Sequence, residues 1–161
     1  MTDEGFEAAT GEGPALPVTD GAAGRRAAEV RVAFEGLLQI RRLTNTVGGD
    51  PEAVPAVWER NQPVRAVALA LEAAGIAPSA VDAEGRRVAT GYRVAPGEVP
   101  GTVRVDWLGP PGGGAAQEED AALGECARAL GRLGWEALLY RGPRKRRFLE
   151  VEPVPGGAPA G

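Results

Sequence analysis

Residues 135–152 read WEALLYRGPRKRRFLEVE. Two apolar runs flank a glycine, a proline and a string of basic residues, which is the composition of a hairpin closing over a polar turn. With a loop at Gly142 to Arg146, Tyr140 faces Phe148, Leu139 faces Leu149, and Arg141 lies opposite Arg147. Alternation then sorts the side chains. Trp135, Ala137, Leu139, Leu149 and Val151 share one face; Leu138, Tyr140 and Phe148 share the other.

The same logic runs upstream. Between Glu118 and Leu133, the residues Leu123, Cys126, Ala127, Leu130 and Leu133 recur at helical spacing, and Gly134 closes the segment. Before it, Val103, Val105 and Trp107 alternate with Arg104 and Asp106, and Val88, Thr90, Tyr92 and Val94 alternate with Ala89, Gly91 and Arg93, which predicts two antiparallel strands. Arg104 falls on the Tyr140 and Phe148 side. Residues 80–152 therefore form a ββαββ unit. Ahead of it, Val30, Ala33, Phe34, Leu37 and Ile40 mark a helix from Arg25 to Thr46, Pro51, Pro55 and Pro63 leave room for a short helical piece around Trp58, and Val64, Val67, Ala68 and Leu71 mark a second helix stopped at Gly75 and clasped by Ile76.

The expected fold class is α+β: a single domain over residues 25–152, with a helical part at 25–76 and an antiparallel sheet plus helix at 80–152. An apolar content of 43% supports one packed core over a chain of 161 residues. Residues 1–24 and 153–161 are short of bulky side chains and read as disordered tails. Amphipathic helices seldom leave their stripes uncovered, so the N-terminal helical pair is expected to pack against the Leu138, Tyr140 and Phe148 face; the alternative leaves that face open.

Several chemistries drop out. Histidine is absent, which removes Ser-His and Cys-His triads and the commonest metal ligand. Ser79 follows a proline with no base beside it. The stretch LGPPGGGAAQEEDAA (108–122) has the order of a phosphate-binding turn but neither of its motifs, and Glu118, Glu119 and Asp120 occupy the helix start where a phosphate would sit. Cys126 lies on an apolar stripe and reads as core. No catalytic residue, cofactor or metal site is expected. The single cysteine, a first segment without an apolar stretch and the lack of any run near about 18 apolar residues fit a cytoplasmic chain with no membrane partner.

A charged surface remains. From Arg128 to Arg147 the chain carries a local charge of +6, against −5 in residues 1–24 and −4 overall. The expected function is a non-enzymatic accessory or regulatory module that binds a protein, by self-association or through exposed apolar surface near Trp58 or a sheet edge. One alternative is nucleic-acid binding by Arg141, Arg144, Lys145, Arg146 and Arg147 with Tyr140, Phe148 and Arg104, since aromatics and arginines on a sheet make platforms for single strands. A second is a small enzyme using carboxylate chemistry. The acidic first segment is expected to screen the basic half.

Overall fold

The computed structural model describes residues 6–46 and 48–154, with the backbone alone at Lys145. It is a mixed α+β domain in which helices precede the sheet. In chain order the elements are α1 (Asp20–Thr44), a 3-10 turn (Pro51–Ala53), α2 (Val57–Asn61), α3 (Pro63–Ala73), β1 (Ala80–Val81), β2 (Arg87–Ala89), β3 (Gly91–Pro96), β4 (Val103–Leu108), α4 (Ala115–Gly131), β5 (Trp135–Arg141), a second 3-10 turn (Pro143–Lys145) and β6 (Arg147–Pro153). The main sheet is antiparallel in the order β3-β4-β6-β5, and β1 with β2 forms a separate two-stranded sheet.

The inner face of the main sheet presents Tyr92, Val94, Val103, Val105, Leu149, Val151 and Trp135. Both α3 and α4 pack on that face, through Ala66, Val67, Leu71, Leu123, Cys126 and Leu130. The long helix α1 then lies over α3, where Val30, Leu37 and Leu69 form a second cluster. The order of layers is thus sheet, α3 with α4, then α1. This corrects the expectation that the N-terminal helices cover the other face of the sheet. The reason is visible in α3: six consecutive residues, Ala66 to Leu71, are buried, so the helix is apolar all round and is sandwiched on both sides. Its small alanines let α1 and the sheet approach from opposite directions.

The stripe on α1 also differs from expectation. Ile40 is 41% exposed, whereas Arg41, four residues beyond Leu37, is buried at 1%. Its guanidinium forms a two-pronged ion pair with Glu59 of α2, at 2.7 Å from each carboxylate oxygen. The remaining Nη1 donates to the carbonyls of Glu52, at 2.6 Å, and Leu133, at 2.9 Å, and Glu59 Oε2 accepts from Ala56 N. Every nitrogen of the guanidinium and both carboxylate oxygens of this buried pair thereby have a partner. Gly134 has a second task besides ending α4: a Cβ there would lie 2.2 Å from the Ala53 carbonyl.

Residues 6–24 are part of the fold, contrary to the expected disorder over 1–24. Helix α1 begins at Asp20, and Phe6 and Ala8 pack on the core. Residues 9–13 run as a strap whose main chain does the bonding: Ala9 N donates to Glu72 Oε1, Val94 N to Thr10 O, Val81 N to Gly13 O, and Tyr92 Oη to Ala9 O. Gly11, at φ +90°, sits so close to β3 that a Cβ would meet Tyr92 O at 2.3 Å. The strap at Val94 and residues 77–79 at Tyr92 therefore share the outer edge of β3. Residues 1–5 of that expectation lie outside the described residues, as do 155–161; Pro153 ends β6, and Val154 N donates to Gly134 O. The expected strand through Val88 is broken at Thr90, because Gly91 approaches the backbone of Ala77 and Pro78 too closely for any side chain.

Arg41→Met or Glu59→Gln strands one half of a buried pair and is expected to cost about 3–5 kcal/mol. The joint replacement Arg41→Met with Glu59→Leu leaves no orphaned charge and should cost less than either change alone. Urea unfolding midpoints of the three variants check this.

Candidate functional site

The hairpin forms in the predicted register: Leu139 pairs with Leu149, Tyr140 with Phe148 and Arg141 with Arg147. Its flanking side chains separate into two neighbourhoods. On the outer face of the sheet, Tyr140 stacks on Phe148 at 5.8 Å between centroids, and the Arg104 guanidinium lies over the Phe148 ring at 3.9 Å. Asp106 holds Arg104 there, accepting from Nε and Nη2 at 3.0 Å each, which keeps the guanidinium over the ring. Arg104, Tyr140 and Phe148 line a shallow depression of about 270 Å³ with Gly97, Glu98 and Glu150. Leu138 lies beside it, opposite Glu150, and both Leu138 and Tyr140 are 43% exposed.

No helix covers this face, so the aromatics are not core. Its charge is decided by the register. Arg93 and Arg104 stand among Asp106, Glu136, Glu150 and Glu152, and Glu12 of the strap reaches in to Arg93 at 2.5 Å. Two cations are outnumbered by five carboxylates. The same Glu12 pairs with Arg87 at 3.1 Å. Of the acidic first segment, then, Glu12 neutralises arginines at the β3 edge and not the hairpin cations it was expected to screen.

The basic turn faces elsewhere. Arg144, Arg146 and Arg147 line a second depression of about 560 Å³, whose opposite wall is the glycine-rich loop and the start of α4, from Gly109 to Gln117, with Trp107 at its base. Arg144 is the one non-glycine residue at positive φ among the described residues, 62°, set by the tight turn after Pro143. Arg147 is taken up by α4: its N–H donates to Glu119 Oε2 at 2.6 Å, and its Nη1 is 3.4 Å from Asp120. Glu119 is buried in this wall, and Trp107 Nε1 donates to Glu118. The first turn of α4 is thus filled by its own carboxylates, which opposes a phosphate there. Arg141 belongs to neither depression. The fold brings Tyr140, Phe148 and Arg104 together and separates them from Arg144, Arg146 and Arg147.

The other singled-out residues have structural roles. Trp58 packs between the two apolar clusters, so the expected exposed surface near it reduces to Val57. Ser79 Oγ donates to Ala89 O within the small sheet. Asp82 caps the turn that joins β1 and β2, and the Arg86 main-chain N–H it accepts lowers its pKa. Burial raises the Tyr92 hydroxyl above its ordinary value, and its proton is committed to Ala9 O. Among the described residues no three acidic or thiol side chains gather as metal ligands, and no helix is long and apolar enough to cross a membrane. Sequence reasoning missed Arg41, Glu59 and Glu12, and it read Glu119 as a charge at the helix start without its bond to the Arg147 main chain. For Arg41 the signal existed, since it continues the Val30, Phe34, Leu37 stripe. The chain matches no family model, no curated protein and no solved structure.

Cys126 is fully buried, and burial pushes its thiol up to about 12. The thiol is therefore neutral at pH 8 and expected to resist a disulfide reagent until the protein unfolds. The unfolded thiol ionises near 9, so the stability this group contributes is complete below that pH and falls as pH rises from about 9 to about 12. Urea titrations across that range, with Cys126→Ala as the control lacking the thiol, read the difference.

Proposed function

We propose that the protein is a binding module whose outer sheet face, at the β5 and β6 end, docks another protein. The observation that carries this is a half-exposed apolar patch, Leu138, Tyr140 and Phe148, braced by Arg104 and ringed by carboxylates. An apolar centre with aromatic anchors and a charged rim is the anatomy of protein interfaces. The guanidinium is already ordered by Asp106 and Phe148, so little side-chain entropy is lost when a partner closes over it.

The charge of the face argues against the single-strand alternative. A nucleic acid laid over Tyr140 and Phe148 would bring its phosphates to Glu98, Glu136, Glu150 and Glu152, with Arg104 already paired. The cations that could offset this repulsion line the other depression.

A photoreactive phenylalanine at Tyr140 is expected to yield protein adducts in cells, whereas the same group at Val32, an exposed position on α1, yields none. In parallel, the protein is titrated with a single-stranded oligonucleotide at about 50 mM salt, against a variant carrying Gln at Arg144, Lys145, Arg146 and Arg147. No binding, or equal salt slopes, is expected. Nucleic-acid adducts at Tyr140, together with a slope reduced by the variant, would overturn the proposal.

A further inference from the structure

The two edges of the main sheet are treated differently. The β3 edge is covered by the chain itself: Val94 N donates to Thr10 O of the strap, and Tyr92 exchanges main-chain bonds with Ala77 and Ser79. At the other edge, β5 pairs with β6 alone. Exposed edges in natural proteins are blunted by lysine, proline or bulges. Strand β5 has no lysine, proline or bulge, and its charges, Glu136 and Arg141, stand only near its ends: seven successive residues pair in unbroken register, and Leu138, Leu139 and Tyr140 at its centre are 43%, 51% and 43% exposed. The main-chain groups on that edge can be assigned. Gly142 N donates to Arg146 O, and Gly134 O accepts from Val154 N, so the even-numbered residues of β5 turn to β6. By alternation Ala137, Leu139 and Arg141 point their N–H and C=O groups outward.

The hairpin is also polarised along its length. At its open end Glu136 faces Glu152; at its turn Arg141 faces Arg147 and Gly142 faces Arg146. Like charges directly opposite destabilise each end. Glu136 and Arg146 cannot relieve each other within one chain, because six residues of strand separate Glu136 from Gly142, about 20 Å.

We infer that the β5 edge pairs antiparallel with the β5 edge of a second copy of this chain. A two-fold axis at Leu139 sets Leu139 against Leu139 of the second copy, and Leu138 against its Tyr140, so the exposed centre is covered on both faces. Ala137 then faces Arg141 of the second copy, and both present outward main-chain groups. Glu136 comes opposite Gly142 of the second copy, which has no side chain; Arg146, paired with that glycine and bordering the α4 depression, turns its exposed side chain across Gly142 to meet the carboxylate in the dimer. Each basic turn meets the acidic end of the other hairpin, and the sheet continues across the axis as eight strands. The edge thereby names one partner for the end of the sheet proposed above as a docking face, and rests on that reading only in sharing Leu138 and Tyr140.

The test is the mass of the full chain in solution by light scattering and sedimentation, from low micromolar to about 500 µM. A dimer is expected. Leu139→Pro removes an outward N–H and the half-exposed side chain at the axis while leaving the bonds to β6 in place, and should raise the dissociation constant at least about tenfold with the monomer still folded in thermal melts. Glu136→Arg should weaken the dimer similarly, and adding Arg146→Glu should restore it by exchanging the charges. A wild type monomeric throughout, a dimer unmoved by Leu139→Pro, or a charge exchange that fails to restore association overturns the inference. The outer-face proposal is read separately, by whether the Tyr140 adduct carries the mass of a different protein: such an adduct on a monomeric chain sinks the edge and keeps the face.

Discussion

The buried pair of Arg41 and Glu59 determines how the helical half of the chain meets the sheet half. One guanidinium touches α2 through Glu59, the 3-10 turn through the Glu52 carbonyl and the end of α4 through the Leu133 carbonyl. A hydrophobic side chain at the same place would tolerate sliding, because dispersion has no preferred direction. The fork of Arg41 does not, since a shift of α1 along α3 would leave buried donors without acceptors. Gly134 reinforces the arrangement by letting the α4–β5 turn touch the backbone at Ala53.

From that clamp the order of layers follows. With α1 held over α3, the all-apolar stretch Ala66 to Leu71 is buried on both sides, and no helix is left to cross the sheet. The outer face then has to satisfy its own side chains. It does so laterally: Glu12 to Arg93, Arg93 to Asp106, Asp106 to Arg104 and Arg104 onto Phe148 form a chain of contacts across three strands. The ladder ends at the Tyr140–Phe148 stack. The apolar patch is the unfinished end of an otherwise paired surface.

What was legible in the sequence is what periodicity encodes. The hairpin register followed from the two apolar runs, α4 from its stripe, and the restart at Pro63 from the fixed φ of proline. The sides of the sheet were legible, but not which side the helices chose, because that choice lies in α3 having a second apolar face through Leu69. The strap was invisible for a different reason. Residues 9–13 bury main chain instead of side chains, so a segment of Ala, Thr and Gly carries no hydrophobic signal although its hydrogen bonds help close the β3 edge. That Tyr140, Phe148 and Arg104 share one face of the sheet followed from alternation alone. Their separation from the basic turn was not readable, since it depends on Glu119 and Asp120 drawing Arg147 towards α4.

That separation shows why a charge cluster in sequence need not be one in space. The +6 between Arg128 and Arg147 suggests a single electropositive end. Helix α4 divides it. Arg128 and Arg132 lie at its C-terminal end, while the hairpin turn returns to its N-terminal end, where Glu119 and Asp120 engage Arg147. Thirteen residues of helix between Glu119 and Arg132 span about 20 Å. That is twice the screening length of about 10 Å at 0.1 M salt, so the two groups do not add their fields at a common ligand. The cations at the turn are thus left as a few side chains at the tip of a hairpin, and the outer face with its aromatic pair is of the opposite sign.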